Sequence, residues 1–280
     1  MNPFLPKNKK MFASIIIICT FVGFIFIYSI PISSKETKQV VPTIFIHGFK
    51  GGYSSFGTML DRFERYQWGS KTMICKVSPR GDISVVGKLP ENNNNPFIQV
   101  IFEDNRASIK DQTIWLKKIM YMLYTQYKVQ QVNIVSHSMG GLTSTNFLEH
   151  NDGKLKYPLV EKLIVIGSPF KGITVPDYFV KNTGDATVDL RKGSPALQSL
   201  YNNKTQFDKN VHVLAIAGVI SEPNVGDGLV SLESALGIRW IVHPKMYSEK
   251  VIIDQHATHS GLHEHKDVDK LIGEFLWETK

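Results

Sequence analysis

The chain has 280 residues, 42% of them hydrophobic, a formal charge of +7 and two cysteines. That length supplies a sizeable buried core, and the basic excess is spread without a dense run, so nucleic-acid binding has no support. Cys19 lies in an apolar segment and Cys75 in a predicted strand, which excludes a disulfide framework and any cysteine–histidine metal spacing.

Lys7, Lys9 and Lys10 precede a continuous uncharged run, Met11–Ile30, dominated by Ile, Phe and Val. About 20 apolar residues cross a bilayer as a helix. Leading cations keep the N-terminus in the cytoplasm. Residues 1–33 are therefore expected to be a membrane anchor, a single transmembrane helix that leaves the rest of the chain extracellular. A cleaved signal peptide, with a secreted domain, is the alternative. Its apolar core is shorter and ends at a small-residue site, which Tyr28–Ser34 does not offer. Residues 34–39 read as a polar linker, and residues 40–280 as one domain.

Val40–Ile46 is a predicted buried strand that runs into His47-Gly48-Phe49-Lys50-Gly51-Gly52. Glycine-rich sequence after an early strand lets a backbone N–H approach a reacting oxygen closely. By position Phe49 is the candidate donor, and His47 is a loop-shaping residue. Tyr53–Tyr66 is a predicted amphipathic helix with Phe56, Met59, Leu60 and Phe63 near one face. Lys71–Val77 and Pro96–Phe102 are predicted strands. Gly87–Pro96, with four consecutive asparagines, is an expected exposed loop. Asp111–Tyr127 is a predicted helix.

Val132–Val135 is a predicted strand, followed by Ser136-His137-Ser138-Met139-Gly140-Gly141 and a helix over Leu142–His150. A serine between small residues at a strand-to-helix turn is a nucleophile elbow. The turn is tight enough that bulk two residues before or after the serine would strike the neighbouring strand and helix. Ser136 and Gly140 supply the small positions, with Ser136 where glycine is usual. Ser138 is the candidate nucleophile, and the N–H of Met139 the other candidate oxyanion donor. A plain helix-capping turn is the bland alternative.

Leu159–Ile166 is the next predicted strand. Alternating strands and helices at this spacing imply a parallel sheet with helices on both faces, and reactive groups beyond the carboxyl ends of the strands. Lys171–Asn210 breaks the rhythm and is expected to be a lid or cap, with one helical piece near Ser194–Tyr201. Tyr178, Phe179 and Val180 either line a pocket there or pack ordinarily. Val211–Gly218 is a predicted strand, followed by Gly226-Asp227-Gly228. Lys250–Ile253 is a short strand leading to His256, His259, His263 and His265, and Val268–Trp277 is a closing helix. Four clustered histidines beside Asp254 and Glu264 leave a metal site as an alternative.

From Val40 to the C-terminus the chain resembles the α/β-hydrolase superfamily. His47-Gly48-Phe49-Lys50-Gly51-Gly52 and Ser136-His137-Ser138-Met139-Gly140-Gly141 look most like its lipase and esterase branch. Gly226-Asp227-Gly228-Leu229-Val230-Ser231 and His259-Ser260-Gly261-Leu262-His263 are similar to uncharacterised cell-surface hydrolases of Gram-positive bacteria. The resemblance implies the α/β-hydrolase fold with a small lid insertion. It also implies a triad in the order Ser138, Asp227, His259, with His256 and His263 as alternative bases. For the cell-surface group it implies a fold and a triad, not a substrate. The triad with both oxyanion loops leads to the expectation of a serine hydrolase that cleaves a carboxylic ester, a small acyl ester or a lipid, with no metal or organic cofactor required. An acyltransferase or thioesterase would use the same residues, and a non-catalytic binding protein is a further alternative. Acyl length, head group and oligomeric state stay open.

Overall fold

The computed structural model describes residues 40–90, 95–150, 156–222 and 225–279. The expected anchor, the linker and residues 91–94 of the asparagine loop lie outside the described residues. Among the described residues no helix is long and apolar enough to cross a membrane.

The first half of the domain runs β1 (Thr43–Ile46), α1 (Ser54–Arg65), β2 (Ser70–Val77), β3 (Ile83–Gly87), β4 (Pro96–Phe102), α2 (Ile109–Thr125), β5 (Gln131–His137) and α3 (Met139–Glu149). The second half runs β6 (Leu159–Ile166), three short helices α4 (Tyr178–Lys181), α5 (Ala186–Asp189) and α6 (Pro195–Asn202), β7 (His212–Val219), α7 (Leu232–Ala235), β8 (Tyr247–Ile253) and α8 (Lys266–Trp277). The strands form one eight-stranded sheet in the order β3-β2-β4-β1-β5-β6-β7-β8. Only the β2–β3 pairing is antiparallel.

Central parallel strands are covered on both faces, so consecutive side chains are buried, all four of β1 and six of the seven in β5. Alternation along each strand then sorts side chains between two cores. Ile44 and Ile46 face a core shared with Leu116, Ile119 and Leu123 of α2 and Leu142 of α3. Phe45 between them faces a core made with Phe56, Leu60 and Phe63 of α1 and Ile272 and Leu276 of α8. In that second core Phe45 meets Phe56 and Phe97 edge-on, with ring centroids 5.5 and 5.4 Å apart, an arrangement that suits the aromatic quadrupole. The α2 helix starts at Ser108, whose hydroxyl accepts the Asp111 N–H at 3.0 Å.

The strand β3 was not expected from the sequence. It is an edge strand paired on one side only, with Val86 exposed, so it lacks the apolar run of its central neighbours. The isolated 3₁₀ turn Gly237–Trp240 and helix α7, after Asp227, were likewise unexpected; both are only four residues long.

Candidate functional site

The register of β1 on β5 builds the site. Ile46 is opposite Ser136, so Gly48 and Ser138 emerge side by side just beyond the strand ends. The approach is close enough that a Cβ on Gly48 would lie 2.6 Å from the Ser138 Cβ. On the other side the Ser138 N–H donates to Ile166 O at 2.8 Å, at the end of β6.

Ser138 sits at φ 55°, ψ −128°, as the residue that caps α3. A non-glycine residue held there costs roughly 1–3 kcal/mol and persists only where the surroundings impose it. The surroundings do so through small residues. A Cβ on Gly140 would lie 2.5 Å from Ile46 O. Ser136, where glycine is usual, is fully buried, and its hydroxyl lies 2.7 Å from that of Ser144, which donates to Gly140 O at 2.8 Å. The extra hydroxyl is thus absorbed by α3 itself.

Three expected site residues come together. Ser138 Oγ lies 2.9 Å from His259 Nε2, and His259 Nδ1 lies 2.8 Å from Asp227 Oδ2. The other Asp227 oxygen accepts the N–H groups of Leu229 at 2.9 Å and Val230 at 2.7 Å. That division leaves one carboxylate oxygen for the imidazole and fixes its direction. The main chain repeats the link, since the His259 N–H donates to Asp227 O at 2.8 Å. Gly167, at φ 55°, makes room: a Cβ there would lie 3.0 Å from Asp227 Oδ2. The carboxylate is buried, while the His259 side chain keeps 16% of its surface exposed.

The two expected backbone donors flank this chain. The Met139 N–H is the first of α3, so the helix offers it no acceptor. Neither it nor the Phe49 N–H donates to an acceptor among the described residues. The loop that carries Phe49 is fastened from behind. His47 donates from Nδ1 to Gly48 O at 2.8 Å and accepts the Phe102 N–H on Nε2 at 3.0 Å. Both ring nitrogens are spent on shaping the loop, and burial lowers the pKa of this ring.

The segment between β6 and β7 lies against the Phe49 loop. Tyr178 of α4 packs on Phe49 at 6.2 Å between ring centroids, and the Arg106 guanidinium sits 5.5 Å above the same Phe49 ring. Lys50 Nζ donates to Asn182 Oδ1 at 3.0 Å and Arg106 Nη1 to Thr183 O at 2.8 Å. Burial pushes the Tyr178 hydroxyl up to about 12. Val180 points to solvent with 81% of its surface exposed, and Phe179 packs under Arg191 at 4.4 Å. Two clefts, of about 510 Å³ beside α2 and about 540 Å³ beside α7, contain none of the residues expected at the site.

The other histidines diverge. His256 is exposed, with its N–H on Asp254 Oδ1 at 2.6 Å. His263 packs against the His137 ring and reaches Glu264 Oε1 from Nδ1 at 3.0 Å. Among the described residues no group of three or more His, Cys, Asp or Glu side chains is arranged to hold a metal ion.

Residues to which the sequence assigned no role support the His259 loop. His137 is buried, and its Nε2–H donates to His259 O at 2.8 Å. Arg62 of α1 grips both Asp269 oxygens at 2.5 and 2.9 Å, Glu264 Oε2 at 2.9 Å and His263 O at 3.0 Å. His137 stands out in the sequence only by adjoining Ser138. Arg62 gives no signal beyond being a charge on the apolar side of a predicted helix.

A family profile described as alpha/beta hydrolase of unknown function (DUF915) matches residues 31–279. The crystal structure of the lin2722 gene product of Listeria innocua is 31% identical, with a TM-score of 0.75, covering 86% of this chain and 96% of that one. A Lactobacillus plantarum structure, described as a cell surface hydrolase, is 22% identical with a TM-score of 0.69, over 86% of this chain and 93% of that one. A lipase of Bacillus licheniformis in mature form shares the fold at 18% identity and a TM-score of 0.52, over 80% of this chain and 88% of that one. No curated protein matches the chain.

Proposed function

The chain belongs to the DUF915 family of alpha/beta hydrolases, and from that premise we propose that it is a serine hydrolase that cleaves carboxylic esters through Ser138, Asp227 and His259. The observation that carries this reading is the unbroken hydrogen-bonded chain from Ser138 Oγ through the His259 ring to the Asp227 carboxylate, at 2.9 and 2.8 Å.

A serine hydroxyl is a poor nucleophile at neutral pH. As Ser138 Oγ attacks the ester carbonyl, His259 Nε2 takes its proton, and Asp227 stabilises the imidazolium and holds the ring tautomer. The negative charge on the carbonyl oxygen falls between the N–H groups of Phe49 and Met139. One such donor is worth roughly 3 kcal/mol. The imidazolium then protonates the leaving alcohol, giving an acyl-enzyme on Ser138. A water, deprotonated by the same imidazole, attacks the acyl carbonyl and releases the acid.

The substrate is a small acyl ester or a lipid, and the segment over residues 171–210 acts as a cap over its acyl side. Residues 1–33 anchor the protein in the membrane, residues 34–39 link, and residues 40–280 work outside the cell. The cell-surface description of the Lactobacillus plantarum neighbour supports that placement. Carbonate extraction of membranes tests it, since an anchored chain stays in the pellet and a cleaved one is found in the medium.

The activity is tested with p-nitrophenyl esters of graded acyl length. The protein is expected to hydrolyse at least one, and Ser138→Ala to reduce turnover to background. Turnover that survives this substitution rules out the mechanism.

A further inference from the structure

Three imidazoles meet beside the site, although the proposed chemistry uses one. The His137 ring centroid is 4.8 Å from that of His259 and 5.0 Å from that of His263. Resting on the reading of His259 as the base, we propose that His137, backed by His263, is a positioning residue for it, a second support besides Asp227.

The geometry gives each a distinct task. His137 adjoins Ser138 in sequence, and its Nε2–H donates to the main-chain oxygen of His259 at 2.8 Å. One side chain therefore ties the backbone of the base to the backbone of the nucleophile. A carbonyl can only accept, so His137 must keep its proton on Nε2. His263 packs edge-on against the His137 ring. Its Nδ1–H donates to Glu264 Oε1 at 3.0 Å, and Glu264 and His263 O are both held by Arg62.

The groups facing His259 are Asp227 at Nδ1, Ser138 at Nε2 and the ring of His137, against which His263 packs in turn. His47 acts on His137, and Arg62 and Glu264 act on His263. Burial, and then proximity to His259 and His263, holds His137 well below the ordinary imidazole range. Burial is also the main cause that lowers His263. Adjoining imidazoles resist sharing positive charge. Asp227 touches only His259, so the two neutral neighbours leave His259 as the ring that carries the catalytic proton.

The edge-on contact keeps His137 from turning away from His259 O. Its removal loosens the hold on the base without touching the base itself. His263→Gln should therefore slow plateau labelling by a smaller factor than His137→Phe does.

The test uses the full-length protein and the rate at which a fluorophosphonate labels it, measured from pH 5 to 9, with melting temperature measured in parallel. His137→Phe keeps a ring but loses the donor, and should slow labelling on the plateau by ~10-fold or more through misplacement of the base. His137→Gln, whose amide can donate from a similar position, should recover part of that loss. His263→Gln should slow labelling by a smaller factor than His137→Phe. A merely structural role predicts lower melting temperatures with wild-type labelling rates, and that result overturns the proposal. Should His137→Phe fail to fold, the other two variants decide. Labelling that persists in Ser138→Ala would instead remove the underlying reading.

Discussion

Asp227 spends one oxygen on two backbone N–H groups and the other on His259 Nδ1. In Asp227→Asn the amide oxygen would keep the backbone bonds and turn the NH₂ toward Nδ1. His259 would then carry its proton on Nε2, where it cannot accept from Ser138. Ester turnover is expected to fall by about 10³–10⁴-fold, with little loss of fold, as circular dichroism and kcat together would show. Gly48→Ala acts by volume instead, because its methyl would lie 2.6 Å from the Ser138 Cβ. The serine has no space to yield, so both labelling and turnover should fall sharply in a protein that still expresses. At this scale the sequence was informative where chemistry fixes local shape. The elbow around Ser138 and the glycines near Phe49 are short-range patterns. His137 was illegible because its partner, His259 O, is 122 residues away.

The elements show the same division between local and distant determinants. Strands β4 and β6 were read with their observed limits, since each carries a mostly apolar run, interrupted at Gln99 and at Glu161-Lys162, between turn residues. The antiparallel edge strand β3 escaped because one unpaired side removes that run. Helix α1 was legible through Phe56, Met59, Leu60 and Phe63, but its Arg62 broke the pattern. The structure gives the reason: Arg62 is buried against α8 and the His259 loop through Asp269 and Glu264. Removing one partner of a buried ion pair strands the other. Arg62→Ala is expected to destabilise by ~3–5 kcal/mol, read from chemical denaturation. If the loss is below ~1 kcal/mol, α1 does not hold the loop in the way described.

Across the whole molecule, parallel pairing brings residues 48, 138, 227 and 259 to one rim of the sheet. The order of strands and helices made that rim foreseeable, although the individual contacts needed coordinates. Stability also carries a marker unrelated to the site. Glu149, at the end of α3, is buried with neither carboxylate oxygen hydrogen-bonded among the described residues, and burial pushes its pKa up to about 9. The folded state holds this proton longer than the unfolded chain does. Its contribution is therefore fully present below the unfolded value and is lost as pH rises toward 9. Melting temperature should fall between pH 6 and 9, and Glu149→Gln should flatten that fall.

A covalent bond to one oxygen, Ser138 Oγ, is the step on which the proposed chemistry turns. The protein, mixed with a p-nitrophenyl ester and acid-quenched before steady state, or reacted with a fluorophosphonate, can be digested and its modified peptide mapped by mass spectrometry. The expected result is one adduct, on Ser138, absent from Ser138→Ala and strongly reduced in the His259→Ala variant. An adduct on another residue, or undiminished modification without His259, would contradict it.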